Sequence, residues 1–173
     1  MRWLIGASLL LASPAEAKWR PAGGISALVS PHLTLPITAL NDRAVGIGAG
    51  WHTDLALWSP GVRQAYGVRL SVDGLSGDDM SGGDVFSMDL MLHGGVDTNL
   101  TKRWVLHGWG GAGWNRTDGP GEPNDQIVVG AGVRLERRAR LRHVLLGWEV
   151  ATRWLGSASG LVLQTGPVLR WQR

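Results

Sequence analysis

The chain has 173 residues, a formal charge of +3, 26 glycines, 10 tryptophans, one tyrosine, one phenylalanine and no cysteine. That length fits one domain, and the missing cysteines exclude a disulfide framework and any thiolate metal site. The charge does not call for a nucleic-acid partner: the basic cluster from Glu136 to Arg142 has no aromatic stacking partners beside it and reads as a solvated turn.

Met1-Arg2 open the chain, an apolar run extends from Trp3 to Ala12, and Ser13-Pro14-Ala15-Glu16-Ala17 supplies a small-residue site of A-x-A form. This is the layout of a secretory signal peptide, with cleavage expected after Ala17. The apolar run is about half the ~20 residues a membrane-spanning helix needs. Every later apolar stretch is broken by Gly, Pro or a charge.

From Gly24 onward, residues alternate with period two, which reads as strands. The first segment sets Ile25, Ala27, Val29, Leu33 and Leu35 against Ser26, Ser30, His32 and Thr34. The second sets Ile47, Trp51, Leu55 and Leu57 against Gly46, Gly48, Gly50, His52 and Asp54, and the third sets Tyr66, Val68, Leu70 and Val72 against Ala65, Gly67, Arg69, Ser71 and Asp73. Phe86, Leu90, Leu92 and Val96 then oppose Ser87, Asp89, His93 and Asp97; Trp104, Leu106, Ala112 and Trp114 oppose His107, Trp109 and Asn115. In the last three segments, Ile127 to Leu135 alternate with Gln126 to Glu136, Val144, Leu146, Trp148, Val150 and Trp154 oppose Glu149 and Arg153, and Leu161, Leu163, Leu169 and Trp171 oppose Gln164, Gly166 and Arg170.

Eight strands in one 156-residue stretch predict an all-β, up-and-down antiparallel barrel occupying residues 18–173. A soluble sandwich or lipocalin would bury the apolar face and wet the polar one. Here the polar face is glycine-rich and poor in lysine, a weak soluble exterior, while the apolar face carries no charge between strand ends. The inverse facing, apolar side chains toward lipid and polar ones in the lumen, fits a transmembrane barrel.

Connections after the second, fourth and sixth segments read as short: Trp58-Ser59-Pro60-Gly61, Asp97 to Lys102, and the arginine-rich turn around Ala139. Those after the third and fifth, Gly74 to Gly83 and Asn115 to Asp125, read as longer and polar. Outer-membrane barrels have short periplasmic turns and longer outside loops. With that orientation Trp58, Trp104 and Trp171 fall at the periplasmic rim and Trp114 and Trp154 at the outer rim, forming an aromatic girdle.

The last segment, Gln164-Thr165-Gly166-Pro167-Val168-Leu169-Arg170-Trp171, resembles the C-terminal β-signal of bacterial outer-membrane proteins, with Gln164, Gly166, Leu169 and Trp171 at the signal positions. It departs from that pattern in Pro167, which removes a ladder donor, and in Gln172-Arg173 after the aromatic residue. The mature chain thus resembles the small eight-stranded outer-membrane barrels typified by the OmpA transmembrane domain and OmpX. The resemblance implies an outer-membrane location, contact with membrane lipid and lipopolysaccharide, engagement of the barrel assembly machinery, and a monomer.

Pairing about Pro60-Gly61 sets His52 beside Arg69, and pairing about Asp79 sets Arg69 beside Asp89, with Glu149 at similar depth on the far wall. An eight-stranded barrel is just wide enough for side chains to fill, so a lumen charge layer of His52, Arg69, Asp89 and Glu149 is expected. His93 and His107, read as facing each other, make too thin a set for a metal. No cofactor is expected, and no G-x-S-x-G element is present. The sequence favours a structural or surface-interaction barrel. A lipid A or phospholipid-modifying enzyme, and a narrow channel or soluble periplasmic lipocalin-like binder, are the alternatives. Intact-mass measurement of the exported protein is expected to give a chain starting at Lys18; retention of residues 1–17 would contradict the leader assignment.

Overall fold

The computed structural model describes residues 24–37, 45–60, 63–77, 84–119, 124–139, 141, 143–156 and 160–173. The leader expected over residues 1–17 lies outside them. Eight strands follow in order: β1 Gly24–Pro36, β2 Val45–Trp58, β3 Gln64–Gly77, β4 Val85–Asn99, β5 Trp104–Asp118, β6 Asn124–Arg138, β7 Val144–Leu155 and β8 Gly160–Gln172. Each pairs antiparallel with its sequence neighbours, and β1 returns to β8 through Ala27↔Trp171 and Thr34↔Gln164 to close the barrel.

Facing follows the alternation. Ile25, Ile47, Leu55, Leu92 and Ile127 lie on the outside with more than half of their surface exposed, whereas Arg69, Ser71, Asp73, Asp89 and Glu136 are fully buried within the barrel. This inverts the soluble arrangement and gives a polar lumen inside an apolar shell. The fifth strand, whose glycines conceal its facing, turns Trp104 and Trp114 outward and His107, Trp109 and Asn115 inward.

Several strands run further than their polarity suggests. β3 extends to Gly77, β4 to Asn99 and β5 through Asn115 to Asp118, so segments read as loops belong partly to the sheet. The reason is the polar lumen: Asp97, Asn115, Thr117 and Gln126 are buried and find partners there, so hydrophilicity does not mark a loop. The connections at the Trp58 end, 59–63, 100–103 and 139–143, remain short, while the expected long ones shrink to 78–84 and 119–123.

Apolar side chains also enter the lumen. Leu75, Val85, Met91, Trp109, Val128, Leu155 and Val162 form one buried cluster with Ala151, and Ala56, Trp58 and Ala65 form another at the end where β1 begins and β8 finishes. Gly132 makes room for Trp109: a Cβ there would stand 2.7 Å from Trp109 Nε1 and 2.8 Å from Ala151 Cβ. Gly132→Val is expected to overpack the lumen and cost about 1–3 kcal/mol. A urea titration of the folded barrel in detergent measures this, and an unchanged midpoint would contradict the tight seat for Trp109.

Candidate functional site

The most concentrated chemistry is inside the barrel. Inward positions of β2, β3, β6 and β7 converge on Arg69, whose Nε and Nη2 donate to Asp54 at 2.7 and 2.9 Å and whose Nη1 and Nη2 donate to Glu149 at 2.8 and 3.2 Å. Arg134 reaches the same two acids, Asp54 at 3.0 Å and Glu149 at 3.3 Å. Two guanidiniums thus share two carboxylates in a closed four-membered arrangement. The Arg69 plane also lies over the Trp109 ring at 3.7 Å, a stacking open to arginine because its charge is delocalised over a plane.

A second cluster gathers around Asp73 and Asp89. Asp73 meets Arg153 Nη2 at 2.7 Å, His32 Nε2 at 2.7 Å and Gln164 Nε2 at 3.1 Å. Asp89 pairs with Arg153 Nη1 and accepts from Asn115 Nδ2 at 2.5 Å. A third cluster lies toward the Trp58 end: Arg170 bridges Glu136 at 2.6 Å and Asp97 at 3.1 Å, and Asp97 meets His107 Nδ1 at 2.7 Å. Trp58 caps it, donating from Nε1 to Ser26 Oγ at 2.9 Å with Arg170 5.2 Å from its ring.

These contacts correct the expected layer. Asp54, rather than His52, stands opposite Arg69, and His52 pairs with Ser71. The β2–β3 hairpin turns one residue later than a tight Pro60-Gly61 turn, with Ser59 N bonded to Gln64 O at 3.0 Å, and moving a hairpin axis by one residue displaces each partner by two. The same displacement in the next hairpin pairs Ser71 with Asp89 and Arg69 with Met91, so Asp89 joins Arg153. His52 still adjoins the layer, 3.5 Å from Glu149, and links it to His32 at 3.3 Å.

His93 and His107 do not face each other: their partners are Gly111 and Asp97. Thr101 Oγ1 accepts from the backbone of Arg103 and Trp104, setting the β4–β5 turn two residues beyond the assumed axis. His93 instead meets Trp109 edge-on at 6.1 Å.

The aromatic expectation needs one change. Trp104, Trp114, Trp154 and Trp171 lie outward near strand ends, but Trp58 is buried in the lumen, because its even position on β2 shares the face of Asp54 and Ala56. Trp51 and Trp148 also face outward, and Trp148 donates its indole N–H to Thr165 Oγ1 at 2.7 Å. Of the four positions read as an assembly signal, Gln164 points into the lumen and Leu169 and Trp171 outward, while Gly166 allows the close approach of β1.

Asp54, Arg134, Asp73, Arg153, Glu136 and Arg170 escaped the sequence-based layer although each sits at an inward-parity position. What bound them together, the reach of long side chains across the lumen, depends on register and strand tilt rather than on spacing. Among the described residues, Asp54, Trp58, His93, His107, Arg134 and Arg170 border a cavity of about 10 Å³, about the minimum for one water molecule.

Comparison with solved structures places this architecture. The barrel is similar to Neisserial surface protein A, with a TM-score of 0.61 and 10% identity over 89% of this chain and 99% of that one. It is similar to OprG from Pseudomonas aeruginosa, with a TM-score of 0.59 and 11% identity over 90% and 99% of the chains. It is also similar to Ail, the attachment invasion locus protein of Yersinia pestis, with a TM-score of 0.55 and 11% identity over 88% and 99%. No family model and no curated protein sequence matches the chain. At such identities the shared feature is the fold, the small eight-stranded barrel of outer-membrane proteins.

Arg69→Met leaves Asp54 and Glu149 buried with half their guanidinium partners and is expected to cost about 3–5 kcal/mol. Adding Glu149→Gln, which leaves Arg134 paired one-to-one with Asp54, should recover most of that loss. Urea unfolding in micelles of the single and double variants checks both; equal losses in the two would show that the arginine contributes packing rather than charge compensation.

Proposed function

We propose that this chain is an exported integral protein of the bacterial outer membrane, with a lumen filled by side chains and a structural or surface-interaction role without catalysis. The observation that carries the reading is the outer wall. Between the rims it presents mainly aliphatic and aromatic side chains, and two of its polar groups are satisfied within the wall: Trp148 Nε1 donates to Thr165 Oγ1, and Thr53 Oγ1 to Leu28 O at 2.8 Å. Such a surface is costly in water and suited to hydrocarbon, where unpaired polar groups are costly. On β5, Trp104 and Trp114 are ten residues apart; at the usual rise and tilt this spans about 25 Å, the height of an outer-membrane apolar band.

The filled lumen is supported by the three ion clusters, by Trp58 at one end and by the apolar cluster around Trp109 and Val128. Conduction would require breaking charge pairs that bridge the barrel. The surface-interaction role is supported by two proteins of similar fold, a surface protein and an attachment invasion locus protein. In this reading Gln164, Gly166, Leu169 and Trp171 present the last strand to the barrel assembly machinery, residues 1–17 act as the export leader, and lipopolysaccharide and phospholipid surround a single barrel.

Fractionation tests the reading: the protein should partition with outer membranes and migrate faster on unheated than on heated detergent gels. Leu92→Arg, at an outward position 70% exposed in mid-strand, should cost about 2–4 kcal/mol in bilayers. Recovery in the soluble periplasmic fraction would support the lipocalin-like alternative, steady ion conductance in planar bilayers the channel, and a mass change in lipid A on expression the enzyme.

A further inference from the structure

Exposed charge is segregated between the two ends of the barrel. Among the described residues, the end where β1 begins and β8 finishes carries Arg63, Lys102, Arg103, Arg137, Arg138 and Arg173 at exposed or half-buried positions. Exposed or half-buried carboxylates are found at the other end, at Asp84, Asp118 and Asp125, where one cation, Arg116, is paired with Asp118 at 3.2 Å. The acids nearest the basic end, Asp97 and Glu136, are buried on Arg170 and His107, and Asp97 also acts electrostatically on Arg138.

Three of these arginines converge. Arg103, Arg137 and Arg138 line an open pocket of about 500 Å³ with Ala139 and Leu146. Arg138 is held from below, donating to Lys102 O at 3.0 Å and to Asn99 Oδ1 at 2.9 Å, and its backbone N–H donates to Arg103 O at 2.9 Å. Arg137 projects outward at the register level of Trp104 and Leu146, 6.0 Å from the Trp104 ring. The pocket therefore has guanidiniums on its water side and, at Leu146, the start of the apolar wall on the other.

We propose that the Arg103–Arg137–Arg138 pocket binds the phosphate of an anionic phospholipid, whose acyl chains lie along the outward residues of β6 and β7. Guanidinium forks match phosphate oxygens in geometry as well as charge, and basic pockets at a membrane surface are a recognised mode of anionic headgroup capture. Val133, Leu135 and Leu146 continue from the pocket as an uninterrupted apolar track. A free phosphate ion has no use for that track, whereas a lipid joins both halves. The connections at this end, 59–63, 100–103 and 139–143, are of four or five residues, whereas the two longest, 37–44 and 78–84, lie at the other end; outer-membrane barrels direct the shorter side to the periplasm and hence to the phospholipid leaflet.

The inference rests on the membrane reading above, and one experiment separates the two. The full chain is folded in nonionic detergent and titrated with dioleoyl phosphatidylglycerol or dioleoyl phosphatidylcholine, with adducts counted by native mass spectrometry; insertion into vesicles is scored in parallel by gel mobility. The expected result is a preference of about fivefold or more for the anionic lipid, lost in Arg103→Gln/Arg137→Gln and kept in Lys102→Gln/Arg173→Gln, which removes equal charge from the same end. Excess inorganic phosphate should displace little of the lipid. Insertion without a preference, equal losses in the two double variants, or full displacement by phosphate would overturn this inference alone. Failure to insert into vesicles would overturn it together with the membrane reading.

Discussion

Closure of the sheet is the constraint on which the rest of the molecule depends. A strand edge facing hydrocarbon would leave a row of backbone donors and acceptors unpaired, so β1 must return to β8, and it does so from Ser26↔Gln172 to Pro36↔Val162. Closure at eight strands fixes an interior about as wide as the side chains that line it. Whatever points inward must therefore pack and be paired with other inward groups.

Arginine meets that demand better than a shorter cation would, because its reach spans the lumen and its planar fork engages two acids at once. Arg69 on β3 ties Asp54 on β2 to Glu149 on β7; Arg153 on β7 ties Asp73 and Asp89 on β3 and β4; Arg170 on β8 ties Asp97 and Glu136 on β4 and β6. Apart from Arg69 with Asp54, which are direct partners in the β2–β3 ladder, each pairing joins strands that share no backbone ladder, so the clusters brace the barrel across its width. In the proposed reading this rigid body serves as a mount, and variation in function falls to the connections and rims.

The fold was legible because period-two alternation is a local property, and eight such segments with charge-free apolar faces leave few architectures open. Strand ends were less legible, since a polar residue such as Asn115 or Asp97 reads as loop unless the lumen that receives it is known. The charge layer was legible in membership more than in pairing. Arg69 and Glu149 do meet, yet a single-residue error in a turn axis moved Asp54 into the place assigned to His52 and sent Asp89 to Arg153. Trp58 shows the opposite failure: its parity placed it inward with Asp54, but its nearness to a strand end suggested a rim residue. Parity, which sterics enforce at every residue, was the better guide than the statistical preference of indole for interfaces.

The central claim, that the apolar wall meets lipid while the charged face is enclosed, is tested most directly by site-directed spin labelling along β4. The chain has no native cysteine, so single cysteines at residues 89 to 93 can each be labelled in bilayers and their collision rates with dissolved oxygen compared. A period-two profile is expected, with high oxygen access at 90 and 92 and low access at 89, 91 and 93. High access at the odd positions, or a flat profile, would contradict it.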